Sequence, residues 1–315
     1  MEISSSVKKR FVKDYDLPIT IMKEPWWSYY MDLYDNLFQT HQKLESLQKL
    51  LRRLGDGSDF FNESDRITTS IIKDISKTQE YKDFLVEDMT KYSFANAPKN
   101  TQLYIPENAD RYFLSVDMSH ANYQALKFVN CVLYTKDWEE LLGWYTQDEY
   151  FHNSKYLRQV IFGNLNPKRQ RTLIRYLNRS KVLTVLIRVG CPIVNFSEDQ
   201  CVIDITDKVK IYGSLNSPLS ENLKNVTSEI TEKVVALLSD AVQVHIEGFK
   251  LKRLSNKPYY VKEKSDGTVK FCCCPAHYFS EIYRFYYREP LSELDGFTFY
   301  DGRAVRYITP LFEYE

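Results

Sequence analysis

Residues 154–188, SKYLRQVIFGNLNPKRQRTLIRYLNRSKVLTVLIR, hold nine lysines and arginines and no aspartate or glutamate. Gly163 is placed to stop one helix, and Asn166–Pro167 to start the next, with Asn as the cap and Pro at the first helical position. The spacing therefore predicts helices over about 150–162 and 167–187. On the second, Leu173, Ile174 and Leu177 turn to a core, while Arg171, Arg175 and Arg179 repeat every four residues as a basic stripe. On the first, Lys155, Arg158 and Phe162 share one face, two cations in line with a ring. Helices built this way lie on the outside of a fold. A row of phosphates suits the stripe, and a triphosphate with its base suits the two cations and the ring. The competing reading is a solvated basic face, or one paired with acids from elsewhere in the chain.

Such acids are plentiful. The 315 residues carry 42 Lys and Arg against 42 Asp and Glu, so the chain is neutral overall. Net charge thus excludes a protein that coats nucleic acid through its bulk charge, and leaves a basic groove set against acidic faces. With 43% apolar and 27% charged residues the chain can bury a full core and is not expected to be disordered. Its 24 Tyr and 18 Phe against 10 Gly predict well-packed elements and offer flat faces for base stacking. No apolar run approaches the roughly 18 residues needed to span a bilayer. The opening MEISSSVKKRFVKDYDL lacks the apolar core of a secretory signal, so no membrane association is expected. The cysteines at 131, 191, 201 and 272–274 do not suit a disulfide framework, because three are consecutive. A reducing, cytoplasmic setting is expected instead.

Periodicity predicts an α+β chain. Leu33, Leu37, Leu44, Leu47 and Leu51 mark one long amphipathic helix over 26–54, ended by Gly55. A second helical stretch covers 64–92 with a break near Thr78, and 96–110 reads as an extended connector. RYFLSVD (111–117) is a strand running into a helix from about Ser119, and a short helix covers 137–145. GCPIVNF-SED-QCVIDI (190–205) is a hairpin with a polar tip, followed by a helix over 218–242. Strands are expected at 243–254, 258–263 and 268–274, a Tyr-rich helix at 277–288 and a last strand near 297–308. The expected organisation is a helical region (1–95), a mixed core (96–255) and a small strand-rich extension (256–315).

Chemistry on phosphates calls for carboxylates at strand ends, where they hold metal ions. Asp117 closes the strand RYFLSVD, and Glu198–Asp199 form the tip of the hairpin. If the two strands are neighbours, these acids converge on one sheet edge and clamp two Mg²⁺. Taken singly, each acid is more ordinarily a turn residue or helix cap.

The order of these parts resembles that of family A DNA polymerases and their single-subunit RNA polymerase relatives. PKNTQLYIP (98–106) is similar to the lead-in before the family's first catalytic strand. SVDMSHANYQAL (115–126) resembles its motif A, with Asp117 on the metal-binding aspartate. KYLRQVIFG (155–163) resembles its motif B helix, with Phe162 on the stacking aromatic and Arg158 four residues before it. FSEDQCVIDI (196–205) resembles its motif C, with Asp199 on the aspartate. The resemblance covers about residues 26–255. It departs from the family at Asn122 (Glu there), Gln124 (Arg), Ser154 (a basic residue), Asn166 (Tyr), Glu198 (His) and Gln200 (Glu).

The resemblance implies a thumb-like helical region, a palm-like sheet and helical fingers. It implies a Mg²⁺-dependent nucleotidyltransferase that adds nucleoside triphosphates to a nucleic-acid 3′ end, DNA- or RNA-directed. Asp117 and Asp199 would be catalytic and bind metal, with Glu198 a third ligand or a neighbour. Lys155, Arg158, Phe162 and Asn122 would bind the nucleotide, and Lys168, Arg169, Arg171, Arg175 and Arg179 the nucleic acid. The alternative is a catalytically inactive nucleic-acid-binding subunit, or a viral interaction protein with a protein partner and a host-cytoplasm setting.

Two further motifs have plain readings. KSDG (264–267) matches the nucleotidyl-ligase pattern, but between YYVKE and TVKFCCC it is a hairpin turn with Asp-Gly at its tip. In CCCPAH, Cys272, Cys274 and His277 could share a zinc ion, against the commoner reading of buried strand thiols.

Overall fold

The computed structural model describes residues 3–55, 57–93, 102–132, 134–212, 218–238, 241–306 and 312. In chain order the helices before the first strand are α1 (Ser5–Asp14), α2 (Trp26–Leu33), α3 (Asp35–Phe38), α4 (Thr40–Leu54), α5 (Gly57–Lys77) and α6 (Gln79–Val86). Strand β1 (Tyr112–Met118) leads into α7 (Ala121–Phe128), α8 (Trp138–Gly143), α9 (Glu149–His152), α10 (Lys155–Gly163) and α11 (Pro167–Leu177). A π-helical turn (Asn178–Leu183) joins α11 to α12 (Thr184–Val189). There follow β2 (Ile193–Phe196), β3 (Gln200–Asp204), α13 (Thr206–Ile211), α14 (Leu219–Leu238) and β4 (Val244–Leu254). Last come β5 (Tyr259–Lys264), β6 (Val269–Cys272), α15 (Phe279–Tyr287), β7 (Phe297–Tyr300) and β8 (Arg303–Arg306). The α+β expectation holds. Part of the lead-in stretch, 98–101, lies outside the described residues. Among the described residues no helix is long and apolar enough to cross a membrane.

The chain divides into two compact units, one of Met1–Lys73, Glu139–Ile161 and Cys273–Glu315, the other of Asp74–Trp138 and Phe162–Cys272. This differs from the three consecutive regions read from the sequence. The helical N-terminal part recruits α9 and α15 from far along the chain, because their apolar faces complete its core.

In the first unit the helix expected over 26–54 is three helices. The Asp35 carboxylate accepts hydrogen bonds from the His41 N–H (2.8 Å) and the Thr40 hydroxyl (3.1 Å), capping a fresh helix. Gln39 is left-handed (φ 51°) where the chain turns into it. The centre of this unit is a buried carboxylate. Asp14 is fully enclosed and accepts from Arg10 (3.0 Å), the Tyr150 hydroxyl (2.6 Å) and the Ser154 hydroxyl (2.5 Å). Ser154 Oγ also accepts from the Leu157 N–H (2.9 Å), capping α10. A charge so deeply buried is tolerable only with this full set of partners.

The second unit is a six-stranded antiparallel sheet in the order β2-β3-β1-β4-β5-β6. β5 and β6 therefore extend this sheet, where the sequence reading assigned them to a separate extension. The KSDG segment is the turn between them: Gly267 is left-handed (φ 84°) and Asp266 accepts from the Thr268 N–H at 2.8 Å. Strand alternation sorts the two faces. The back face packs on α14, and Gly248 makes room for it: a Cβ there would sit 1.9 Å from Thr227 Oγ1. The front face is apolar at one end, where Leu103 covers Phe113, Val202, Phe249, Leu251 and Tyr260. Cys272 is buried in this same cluster. Cys273 is exposed and left-handed (φ 60°) and Cys274 half-buried, both past the end of β6, so the strand-thiol reading holds for Cys272 alone. The other end of the front face is polar.

Candidate nucleic-acid and cation site

The polar end is built by register. Asp117 on β1 stands opposite Gln200 of β3 and His245 of β4, and Ser115 opposite Glu247. The β2–β3 turn then delivers Asp199 to the same edge. The Ser197 N–H donates to the Gln200 carbonyl (2.8 Å), the Gln200 N–H to Ser197 Oγ (3.2 Å), and the Met118 N–H to the Asp199 carbonyl (2.9 Å). Gln200 Nε2 donates to Ser115 Oγ at 2.9 Å. The hairpin is held from behind by Asn178, at the start of the π-helical turn. Its Nδ2 donates to the Ser197 carbonyl (3.0 Å), and its Oδ1 accepts from the Cys201 thiol (3.3 Å).

Two carboxylates meeting in a half-buried place repel each other and lose hydration. Burial first, and the Asp199 charge second, push the Asp117 carboxyl up to about 6; Lys270 and His245 pull the other way. Further across the sheet, burial pushes the Glu247 carboxyl up, but Lys262 (3.2 Å) and Lys264 (3.1 Å) outweigh it and hold it below the usual range. Lys262 is itself buried and lies 4.1 Å from the centroid of the Phe249 ring.

This donor set bears on Mg²⁺. Asp117 and Asp199, brought to one sheet edge by the β1–β3 pairing and the Met118–Asp199 backbone bond, are the two carboxylates of this edge that would hold a divalent cation. Glu198 does not fit as a ligand. Its carboxylate spans two guanidiniums of α11, Arg171 Nε at 3.0 Å on one oxygen and Arg175 on the other. Among the described residues no group of three or more His, Cys, Asp or Glu is arranged to hold a metal ion.

The remaining sequence-based candidates divide clearly. The Asn166 cap and Pro167 start α11 as expected, with Asn166 Oδ1 accepting from the Arg169 N–H at 3.4 Å. Arg171 and Arg175 do form an exposed stripe, and Lys168 is exposed at its start. Arg169 does not belong to that stripe. Its guanidinium donates to the carbonyls of Phe84 (2.9 Å) and Glu87 at the end of α6, and stacks over the Phe84 ring. Those carbonyls lack helical partners, which is why a cation is drawn there. Phe162 is also corrected: it is 1% exposed, with its ring 5.5 Å from that of Trp138, so it offers no face to a base. Asn122 is half-exposed in the first turn of α7, shortly after Asp117.

Lys155 and Arg158 fall in the first unit. Lys155 pairs with Asp16 at 2.6 Å, and burial lowers the Arg158 guanidinium while Glu139 partly restores it. The site described here is confined to the second unit.

Sequence reasoning missed Gln124 and Asn178. Gln124 Nε2 donates to the Ser119 and Gln243 carbonyls and its Oε1 accepts from the Gln243 N–H (2.8 Å), fastening α7 to the start of β4. A polar residue inside an otherwise apolar helical face was the available signal for each.

A separate pocket of about 460 Å³ in the same unit is lined by Glu80, Asp83 and Glu87 with Phe84, Tyr92 and Phe128. Its acids exclude it as a phosphate seat.

Compared with known proteins, the chain matches no family model, no curated protein and no solved structure.

Proposed function

We propose that the chain is a palm-type nucleotidyltransferase, acting on a nucleic-acid 3′ end with a nucleoside triphosphate as donor and Mg²⁺ as cofactor. One observation carries this reading: Asp117 and Asp199, far apart in sequence, come to one sheet edge, Asp117 in register with Gln200 and the Met118 N–H donating to the Asp199 carbonyl at 2.9 Å. A divalent ion at such a pair supplies Lewis-acid activation of a sugar hydroxyl and neutralises charge on the triphosphate.

The chain's own residues have distinct tasks in this reading. Asp117 and Asp199 provide the negative charge that holds the cation. Ser115 and Gln200 brace the strand ends on which the acids sit. Arg171 and Arg175, with Lys168 and Arg179, track the phosphates of the bound strand. The setting we propose is a reducing cytoplasm, that of the host if the chain is viral.

Three observations favour a second reading, a catalytically inactive nucleic-acid-binding subunit. Glu198 is engaged by two arginines, Phe162 is enclosed, and Gln200 stands where a carboxylate would strengthen the metal site.

The test is primer extension with all eight nucleotides and Mg²⁺ or Mn²⁺, comparing wild type with Asp117→Asn. Extension by wild type and its loss in the variant supports the enzyme. No extension by wild type overturns it. Salt-sensitive oligonucleotide binding that Arg171→Glu abolishes then supports the binding subunit.

A further inference from the structure

We infer that Glu198 is an internal stand-in for a phosphodiester: a polyanion that takes over Arg171 and Arg175 releases the Glu198 carboxylate beside Asp199, so that polyanion and divalent cation bind this edge cooperatively. The inference rests on the reading that Asp117 and Asp199 take a divalent cation.

The contact has the form of a ligand complex. One carboxylate bridges two guanidiniums on successive turns of α11, each oxygen engaging one arginine. A phosphodiester presents the same pair of anionic oxygens to the same fork. The contact is also easily exchanged. The three side chains are 41% to 62% exposed, and ion pairs this open to water hold only weakly. A polyanion that also reaches Lys168 outcompetes one tethered carboxylate.

Release needs no change in the backbone. The turn carrying Glu198 is held by the Ser197–Gln200 bonds and by Asn178, none of which involves the Glu198 side chain. The freed charge stays one residue from Asp199, where it deepens the negative potential felt by a cation. In the closed arrangement the two arginines cancel that charge. Binding free energies being reciprocal, whatever the polyanion does for cation affinity the cation does for the polyanion.

The experiment measures Mn²⁺ binding to the full chain by electron paramagnetic resonance of the unbound ion, with and without saturating oligothymidylate. Fluorescence anisotropy reads oligothymidylate binding without metal. In wild type the oligonucleotide is expected to tighten Mn²⁺ binding about five-fold or more. Glu198→Gln is expected to bind oligothymidylate at least as tightly as wild type, since its competitor is gone, and to retain coupling of less than about two-fold. Arg175→Gln, which loosens the bridge, should raise Mn²⁺ affinity without oligonucleotide toward the oligonucleotide-bound value.

Wild-type Mn²⁺ affinity that ignores the oligonucleotide overturns the inference. So does weaker oligonucleotide binding by a Glu198→Gln protein that melts like wild type, which is the result for a static brace. Asp117→Asn separates the two levels of the argument. Mn²⁺ bound by wild type and lost in that variant, without coupling, leaves the cation site standing and removes the stand-in. No Mn²⁺ binding by wild type under either condition removes both.

Discussion

Asp117 and Asp199 are neighbours because the β1 and β3 backbones make them so. Asp117 is in register with Gln200, and the next amide, that of Met118, donates to the Asp199 carbonyl at 2.9 Å. The placement owes nothing to attraction between the side chains, which repel. The sheet holds together two acids that would separate in a flexible chain.

The pair has a pH signature. Burial, then Asp199, raises Asp117 from the usual 3.8 to about 6. Between those limits the folded state holds a proton that the unfolded state has lost. This group's contribution therefore favours folding as pH falls through about 6 toward 3.8, and opposes it above. Asp117→Asn should raise the urea midpoint at pH about 7 and change it less near pH 4. Asp199→Asn, followed by carboxyl-carbon NMR, should lower the Asp117 titration yet leave it above 3.8, because burial remains. An unmoved titration would falsify the coupling.

Arg169 and its neighbours should separate cleanly. Arg171→Gln and Arg175→Gln are expected to weaken oligonucleotide binding and to reduce the log–log salt slope by about 0.7–0.9 per lost contact. Arg169→Gln should leave that slope unchanged and instead cost about 1–3 kcal/mol of stability, since it strips partners from the Phe84 and Glu87 carbonyls. Equal salt slopes for all three variants would mean that the stripe includes Arg169 after all.

Gly248 is a steric prediction. Alanine there drives a methyl group to 1.9 Å from Thr227 Oγ1, so α14 must lift from β4. A loss of about 1–3 kcal/mol is expected by chemical denaturation. Thr227→Ala in the same chain should recover part of it, and strict additivity of the two losses would refute the proposed contact.

Asn178 is the brace of the acidic hairpin. Asn178→Ala removes the bonds of a buried side chain to the Ser197 carbonyl and the Cys201 thiol, at a cost of about 1–3 kcal/mol. Hydrogen exchange should quicken at the Ser197 and Gln200 amides more than at β4. Uniform quickening across the sheet would show only global destabilisation.

Local rules read much of this fold correctly. The Asn166–Pro167 start of α11, the break at Thr78, the 190–205 hairpin and the Asp-Gly turn at 266–267 each rest on residues close together in sequence. The break at Gln39 was missed although it is local, because the leucine spacing runs through it and the Asp35 cap is inconspicuous. The candidate site was partly legible for the same reasons. Strand-end position marked Asp117 and the hairpin tip marked Asp199, whereas nothing near Phe162 announced that Trp138 would enclose it.

By itself, then, the sequence determined most of the longer elements and which carboxylates and cations each one carries, though not every end, since the breaks within 26–54 escaped it. Capping, alternation and helical period act within a few residues, so they need no knowledge of the rest of the chain. Tertiary structure alone decided that β5 and β6 join the central sheet, that Glu198 closes on Arg171 and Arg175, and that Arg169 serves α6. Those outcomes depend on which unsatisfied charge or carbonyl another element brings within about 3 Å, the reach of a hydrogen bond. Chain composition does not encode that meeting; strand pairing and helix packing impose it.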